Sequence, residues 1–223
     1  RIEIELVEEF LAAALAEDIG PGDLTSSAVI PPEAVARGAF VAREAGVLAG
    51  GPLLAPLFRR LDKAIEIKLL KDDGDALAKG DAIATVRGPA RAILAGERVA
   101  LNILQRLSGI ASMTRRFVDK AAPYGARILD TRKTTPGWRY LEKYAVRAGG
   151  GTNHRMGLYD QVRIKDNHLL VAERRWPGRA VAGAIEAARK GAPQGIRIEV
   201  EADSLGQVEQ AIEAGADIIL LDN

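Results

Sequence analysis

Ile4, Val7, Leu11 and Leu15 recur at helical spacing and predict an amphipathic helix over residues 2–17. The stretch "EDIGPGDLTSS" then breaks the pattern with Gly, Pro and Asp. From about residue 34 to 95 the rhythm becomes short and alternating. "ARGAFVARE", "AIEIKLL" and "DAIATVRG" read as strands, separated by turn clusters such as "KDDGD" and "AKGD". Residues 96–121 carry the longest helical pattern. Val99, Ile103, Ile110 and Phe117 share one face, Leu107 lies close to it, and Gly96-Glu97 leads in.

Strands and helices then alternate. "ARILDT" (126–131) is an expected strand, and "TPGWRYLEKYAVRAGGG" an expected helix with Thr135 as N-cap and Pro136 in its first turn. The triple Gly ends that helix and reads as a flexible connection. Strand 160–166, helix "GRAVAGAIEAARKGA", strand 195–202, helix "SLGQVEQAIEAGA" and strand "DIILLDN" follow. Four strands alternating with helices predict parallel βαβ units. The class is therefore α/β, with a boundary expected near 110–125. That gives an N-terminal α/β domain over 1–112 and a barrel-like domain over 113–223.

Two of these strands carry charge where a covered parallel sheet should be apolar. In "QVRIKD", Val162 and Ile164 point one way and Arg163 and Lys165 the other. In "IRIEVEA", Ile198 and Val200 oppose Arg197, Glu199 and Glu201. If helices cover the apolar face, the charges face the inside of a barrel or its mouth. The plain alternative is an antiparallel sheet with one solvated face. The expected strand ends carry Arg132-Lys133, Lys165-Asp166, Glu201 with Asp203, and Asp222-Asn223. Active sites of βα barrels lie at the carboxyl ends of strands.

Net charge is +1, too small for general nucleic-acid binding, but it is unevenly placed. From Arg127 to His168 there are nine Lys/Arg against four Asp/Glu, together with both histidines. Arg132, Lys133, Arg155 and Lys165, with His154, suit a pocket for carboxylates or phosphates. Arg139, Lys143 and Arg147, at i, i+4 and i+8, read as a solvated helix face. Glu201 and Asp222 could hold Mg²⁺ directly or through water, stabilise a developing positive centre, or pair with interior Arg163, Arg197 or Lys165. His168 reads as a capping or packing residue. Trp138, Tyr140 and Tyr144 read as packing groups. The chain has no cysteine, which excludes disulfides, thiolate metal sites and a Cys nucleophile; a reducing cytoplasm fits, although a chain without Cys tolerates any compartment. No apolar run approaches the ~18 residues of a membrane span, and the acidic, amphipathic start is unlike a signal peptide.

Seven stretches occur in order: "EDIGPGDLTSSAVIPP", "AREAGVLAG", "GERVALNILQRLSGIA", "LDTRKTTPGWRYLEKYAVRAGGGTNHRMGLYD", "IKDNH", "EVEADS" and "LLDN". Together they closely resemble bacterial-type quinolinate phosphoribosyltransferases, the decarboxylating enzymes of NAD biosynthesis. The resemblance implies an N-terminal α/β domain followed by an open α/β barrel, working as a homodimer with a shared active site. It implies that Arg98 enters the neighbouring subunit's site. Thr131, Arg132, Lys133, His154, Arg155 and Lys165 would line the pocket for quinolinate and phosphoribosyl pyrophosphate. Glu201 and Asp222 would face the ribose and Mg²⁺-pyrophosphate, and Lys133, Glu201 and Asp222 would be catalytic. The family continues past "LLDN" with further barrel strands and phosphate-holding turns, so an incomplete barrel is expected here. A sibling enzyme acting on a monocarboxylate such as nicotinate, and a non-catalytic truncated homologue, are the alternatives.

Overall fold

Val7, Leu11 and Leu15, spaced by four, form the buried stripe of α1 (Glu8–Ile19), with Val7 in a single 3-10 turn before it. In the computed structural model, which describes residues 2–222, this helix belongs to a compact unit ending at His154; a second begins at Arg155. α2 (Leu24–Val29), absent from the expected elements, starts where the Asp23 carboxylate accepts the Ser26 N–H at 2.9 Å. Those Ser26 hydrogen bonds hold Asp23 below its ordinary pKa.

The alternating stretches form the strands they predict. β1 (Val35–Val41), β2 (Gly46–Val47), β3 (Glu66–Leu69), β4 (Ala76–Leu77) and β5 (Ala82–Pro89) make an antiparallel sheet ordered β1-β5-β3 and a separate β2-β4 pair. Between them lies α3 (Leu54–Leu61), also unexpected. Its Leu54, Leu57 and Phe58 are buried at helical spacing, and Pro56 sits in the first turn, where its missing N–H has no intrahelical role. α4 (Ala90–Ala121) begins six residues before the expected start. Gly96 lies inside it, where a Cβ would come within 2.8 Å of the Phe58 ring. Val99, Ile103 and Leu107 are buried as expected, but Phe117, on the last turns, is exposed.

α5 (Arg139–Ala148) packs against α4. Trp138 precedes it, so Thr135 is not its N-cap; the Thr135 carbonyl instead accepts the Trp138 N–H in a turn. Trp138 packs edge-on against Phe10 at 4.7 Å, and Tyr140 accepts the Glu3 N–H at 2.8 Å. Tyr144 is buried and donates to Asp73 at 2.5 Å; burial and that carboxylate push its pKa up. The triple Gly is a close contact rather than a flexible connection. A Cβ on Gly149 would strike the Ala111 carbonyl and lie 2.7 Å from Thr114 Cβ, and Gly150 takes φ +90°. Residues 126–131 form no strand. A single parallel bridge joins Leu129 to Thr152, because the next strand in sequence pairs elsewhere.

The second unit contains β6 (Val162–Ile164), α6 (Asp166–Arg175), α7 (Ala180–Gly191), β7 (Ile198–Ala202), α8 (Leu205–Glu213) and β8 (Ile218–Leu221). Its sheet is parallel and ordered β6-β7-β8, as expected of an α/β barrel segment, so the solvated antiparallel alternative is overturned. Ile164, Ile198 and Val200 pack under Leu169, Val181, Ile185 and Ala211, so the helices do cover the apolar face. α6 was not among the expected elements. Asn223, the end of the last expected strand, lies outside the described residues.

Candidate active site

Thr131, Arg132 and Lys133 occupy the turn between the Leu129–Thr152 bridge and α5. Local hydroxyls fold this turn. The Lys133 N–H donates to Thr131 Oγ1 at 3.1 Å, the Thr134 N–H to the Arg132 carbonyl at 2.9 Å, and Arg139 Nε to Thr134 Oγ1 at 3.1 Å. Its far side is tied to two helices. The Thr135 N–H donates to Glu142 at 3.3 Å, and Arg106 of α4 bonds both Thr135 and Glu142. Arg132 and Lys133 themselves make no ion pair among the described residues, and Arg132 Nε is buried without a hydrogen-bond partner. Such a donor costs about 1–3 kcal/mol until an acceptor arrives, so the turn presents two adjacent cations prepared for an anion.

His154 is brought to the same place by its backbone, whose N–H donates to Asp130 at 2.8 Å. Lys143, expected on a solvated face, is 1% exposed and paired with Asp130. Arg98 is exposed on α4, eight residues before Arg106 and so about 12 Å along the helix. No contact among the described residues joins it to the 131–133 turn.

In the second unit the strand register sets the charges against one another. Arg163 stands opposite Glu199, which is 2% exposed and accepts from Gln161 at 2.6 Å. Arg163 reaches Glu199 at 3.5 Å and bonds Glu201 Oε1 through Nε at 2.9 Å and a terminal nitrogen at 2.6 Å. Lys165 Nζ is 3.6 Å from the same oxygen. Glu201 thus takes the pairing role with Arg163 and Lys165, while its Oε2 has no partner among the described residues. Asp222 follows β8; its N–H donates to the Ala202 carbonyl at 3.0 Å, and its exposed carboxylate has no partner among the described residues.

Lys165, Glu201 and Asp222 therefore share the carboxyl rim of three consecutive parallel strands. Arg155 is buried, and its guanidinium donates to the Gln161 carbonyl at 3.3 Å, at the amino end of β6. That contact places it at the opposite end of the strand from Lys165. His168 caps α6, accepting the Lys165 N–H on Nδ1 at 2.9 Å, which settles its role as capping.

A cavity of about 480 Å³ opens at this rim, with Asp166, Glu173, Glu201, Asp203 and Asp222 in its lining and no Lys or Arg. Its sign suits a hydrated cation, not a dianion. Among the described residues no three His, Cys, Asp or Glu side chains gather tightly enough to hold a metal by themselves. Magnesium keeps several waters and is held by one or two carboxylates together with substrate phosphates, so Glu201 Oε2 and Asp222 fit that limited role.

Two family models match the chain: the N-terminal domain of quinolinate phosphoribosyl transferase over residues 23–108 and its C-terminal domain over 110–223. A Bacillus subtilis protein named "Probable nicotinate-nucleotide pyrophosphorylase" (carboxylating) is 49% identical over 93% of this chain and 69% of its own length. A Synechocystis protein of the same name is 43% identical over 98% of this chain and 72% of its own. The crystal structure of NadC from Streptococcus pyogenes superposes with a TM-score of 0.94 at 41% identity, covering all of this chain and 77% of that one. The two models meet within α4, whereas the compact units divide 45 residues later, at His154/Arg155. With both of its domain models matched in order and relatives this similar, the chain belongs to the quinolinate phosphoribosyl transferase family.

Proposed function

We infer that the protein transfers the phosphoribosyl group of phosphoribosyl pyrophosphate to quinolinate with loss of CO₂, giving nicotinate mononucleotide and pyrophosphate. The observation that carries this reading, beside family membership, is the pair of unneutralised cations Arg132 and Lys133 on a turn fixed from both sides. Quinolinate is a dianion and its partner a polyanion. Cations let them approach each other and hold them for reaction. Arg132 offers a fork to a carboxylate, and Lys133 a point charge beside it.

In the first step the pyridine nitrogen attacks the anomeric carbon as the bond to pyrophosphate breaks. Positive charge develops on the ribose, and the Glu201 carboxylate stabilises it, as carboxylates do in glycosyl transfer. Arg163 holds one Glu201 oxygen and leaves the other to accept. The ring nitrogen, now cationic, stabilises the electron pair left when the adjacent carboxylate departs as CO₂. A proton from water then occupies that carbon. No protein nucleophile takes part.

Mg²⁺ belongs to this reading: Glu201 and Asp222 would hold it through water, and it would supply positive charge to the pyrophosphate group. The reading also includes a homodimer in which Arg98 serves the neighbouring subunit. Exposed Leu94, Met113 and Phe117 on the same helix give it apolar surface to bury.

The test is to incubate full-length protein with quinolinate, phosphoribosyl pyrophosphate and Mg²⁺ and to quantify nicotinate mononucleotide. Product from quinolinate but not from nicotinate is expected. Product from nicotinate alone would replace this reading with the monocarboxylate enzyme, and none from either would remove it.

A further inference from the structure

Lys143 and Asp130 form an ion pair with side chains only 1% and 7% exposed. Net stability is a weak reason for such a pair, since desolvating two charges offsets most of their attraction and apolar replacements often serve equally well. What the pair fixes is geometry. Asp130 takes donors from two further places: the Asn153 amide at 2.5 Å and the His154 backbone N–H at 2.8 Å. The same amide nitrogen of Asn153 donates to the Lys143 carbonyl at 2.8 Å, closing the ring back onto α5. One carboxylate therefore gathers α5, the segment leading into Thr131–Lys133, and the segment carrying His154.

Those segments need such a tie. Regular structure joins them through little else: one bridge at Leu129–Thr152, with the Thr152 N–H to the Ile128 carbonyl at 2.8 Å and the Asp130 N–H to the Thr152 carbonyl at 3.2 Å. Arg132 and Lys133 begin two residues beyond Asp130; Glu142 and Arg106 hold the far side of their turn through Thr135, and Asp130 holds the near side against the mutual repulsion of the two cations. Lys143 has a second effect. By neutralising Asp130 it keeps that carboxylate from becoming the counter-ion of Arg132 or Lys133, so both cations stay available to a ligand.

We propose that the buried Lys143–Asp130–Asn153 node is a positioning device for quinolinate transfer, setting the 131–133 turn and His154 at their working separation. None of the three residues touches substrate in this scheme; they act through the neighbours they hold. The proposal rests on the phosphoribosyl-transfer reading above for its consequence in catalysis.

Two variants of the full-length protein test it: Lys143→Met alone, and Lys143→Met with Asp130→Asn. The single variant leaves a buried carboxylate unpaired and is at risk of not folding. The double variant removes both charges at nearly constant volume and is expected to melt close to wild type. Its Asp130→Asn change nevertheless turns a side-chain amide toward the Asn153 amide, so that contact is lost together with the ion pair, while the remaining carbonyl oxygen can still accept the His154 N–H. Displacement of this kind lowers kcat/KM on the order of 10- to 100-fold. Backbone hydrogen exchange should quicken in 131–133 and 152–154 while 141–148 of α5 stays protected.

A folded double variant with wild-type kcat/KM and wild-type exchange overturns the proposal, because activity would then track stability alone. So does failure of both variants to fold, which would mark the pair as a determinant of the fold. If wild-type protein makes no product, the transfer reading fails, and the exchange pattern still decides whether the node positions these segments.

Discussion

Replacing Arg163 with Met probes the charged face of the parallel sheet directly. The guanidinium is opposite Glu199 in the strand register and bonds Glu201 at 2.6 and 2.9 Å, so its loss removes a cation that two acids share. Deleting one partner of a buried pair typically costs about 3–5 kcal/mol, because the charge left behind is neither solvated nor matched. Here Arg163 is 18% exposed, Glu199 keeps Gln161, and Glu201 keeps Lys165 at 3.6 Å, which places the loss near the lower bound, about 3 kcal/mol. For a chain of this size that corresponds to a melting temperature lower by roughly 6–12 °C.

Thermal unfolding of wild type, Arg163→Met, Glu199→Gln and the double variant would close a double-mutant cycle. Neutralising Glu199 should recover at least about half of the loss caused by Arg163→Met, a coupling of roughly 1.5 kcal/mol. Because Glu201 is no longer held, kcat should fall in Arg163→Met while the KM for quinolinate stays the same. A single variant within about 0.5 kcal/mol of wild type, or additive effects in the cycle, would refute the claim that these charges are an interior network.

Further expectations concern other parts of the chain. Gly149→Ala drives a methyl group into α4 at Ala111 and Thr114 and should destabilise by about 1–3 kcal/mol in denaturant titration; wild-type stability would mean the helices are not in close contact there. Asp217 accepts the Ile198 N–H at 2.7 Å and an Arg189 N–H at 2.9 Å, and chiefly the first holds its pKa below 3.8. The unfolded chain therefore takes up the proton first, so the stability difference between wild type and Asp217→Asn should be full above about pH 4 and shrink as pH falls through the folded-state value. A difference independent of pH down to about 2 would contradict that linkage. Arg98→Ala and Lys133→Ala proteins should each be inactive yet regain partial activity when mixed, since a hybrid dimer holds one intact site; mixtures that stay inactive would argue against sharing across subunits.

Periodicity carried the sequence reading furthest where one interaction dominates. The alternation in "QVRIKD" and "IRIEVEA" separates helix-facing Ile and Val from Arg163, Glu199 and Glu201, and the sheet obeys it because slipping one residue would bury the charges under α7. The rim positions Lys165, Glu201 and Asp222 were legible for the same reason. Two short helices were lost where local signals compete: Pro56 disguised α3, and α6 follows β6 with no intervening turn.

Residues 126–131 have strand composition but no partner strand beyond one bridge, and composition does not supply partners. Lys143 was misplaced because helical spacing beside Arg139 and Arg147 gives the same signal for a solvated cation and for one that meets Asp130. The Gly run looked flexible because close approach of two helices leaves no trace in one helix's own sequence. Membership of the family, by contrast, was legible in "TRKTTPG" and "GGGTNHRMGLYD", where several chemically specific residues occur together.

In the proposed reaction a ribosyl phosphate joins the nitrogen of a pyridine dicarboxylate, and only then is the neighbouring carboxylate expelled. Full-length protein supplied with quinolinate labelled with ¹³C in the carboxyl adjacent to nitrogen should release labelled CO₂ only when phosphoribosyl pyrophosphate is present, mole for mole with nicotinate mononucleotide, and Lys133→Ala should abolish both together. Labelled CO₂ released without the phosphoribosyl donor, or a ribosylated product that keeps its label, would contradict it.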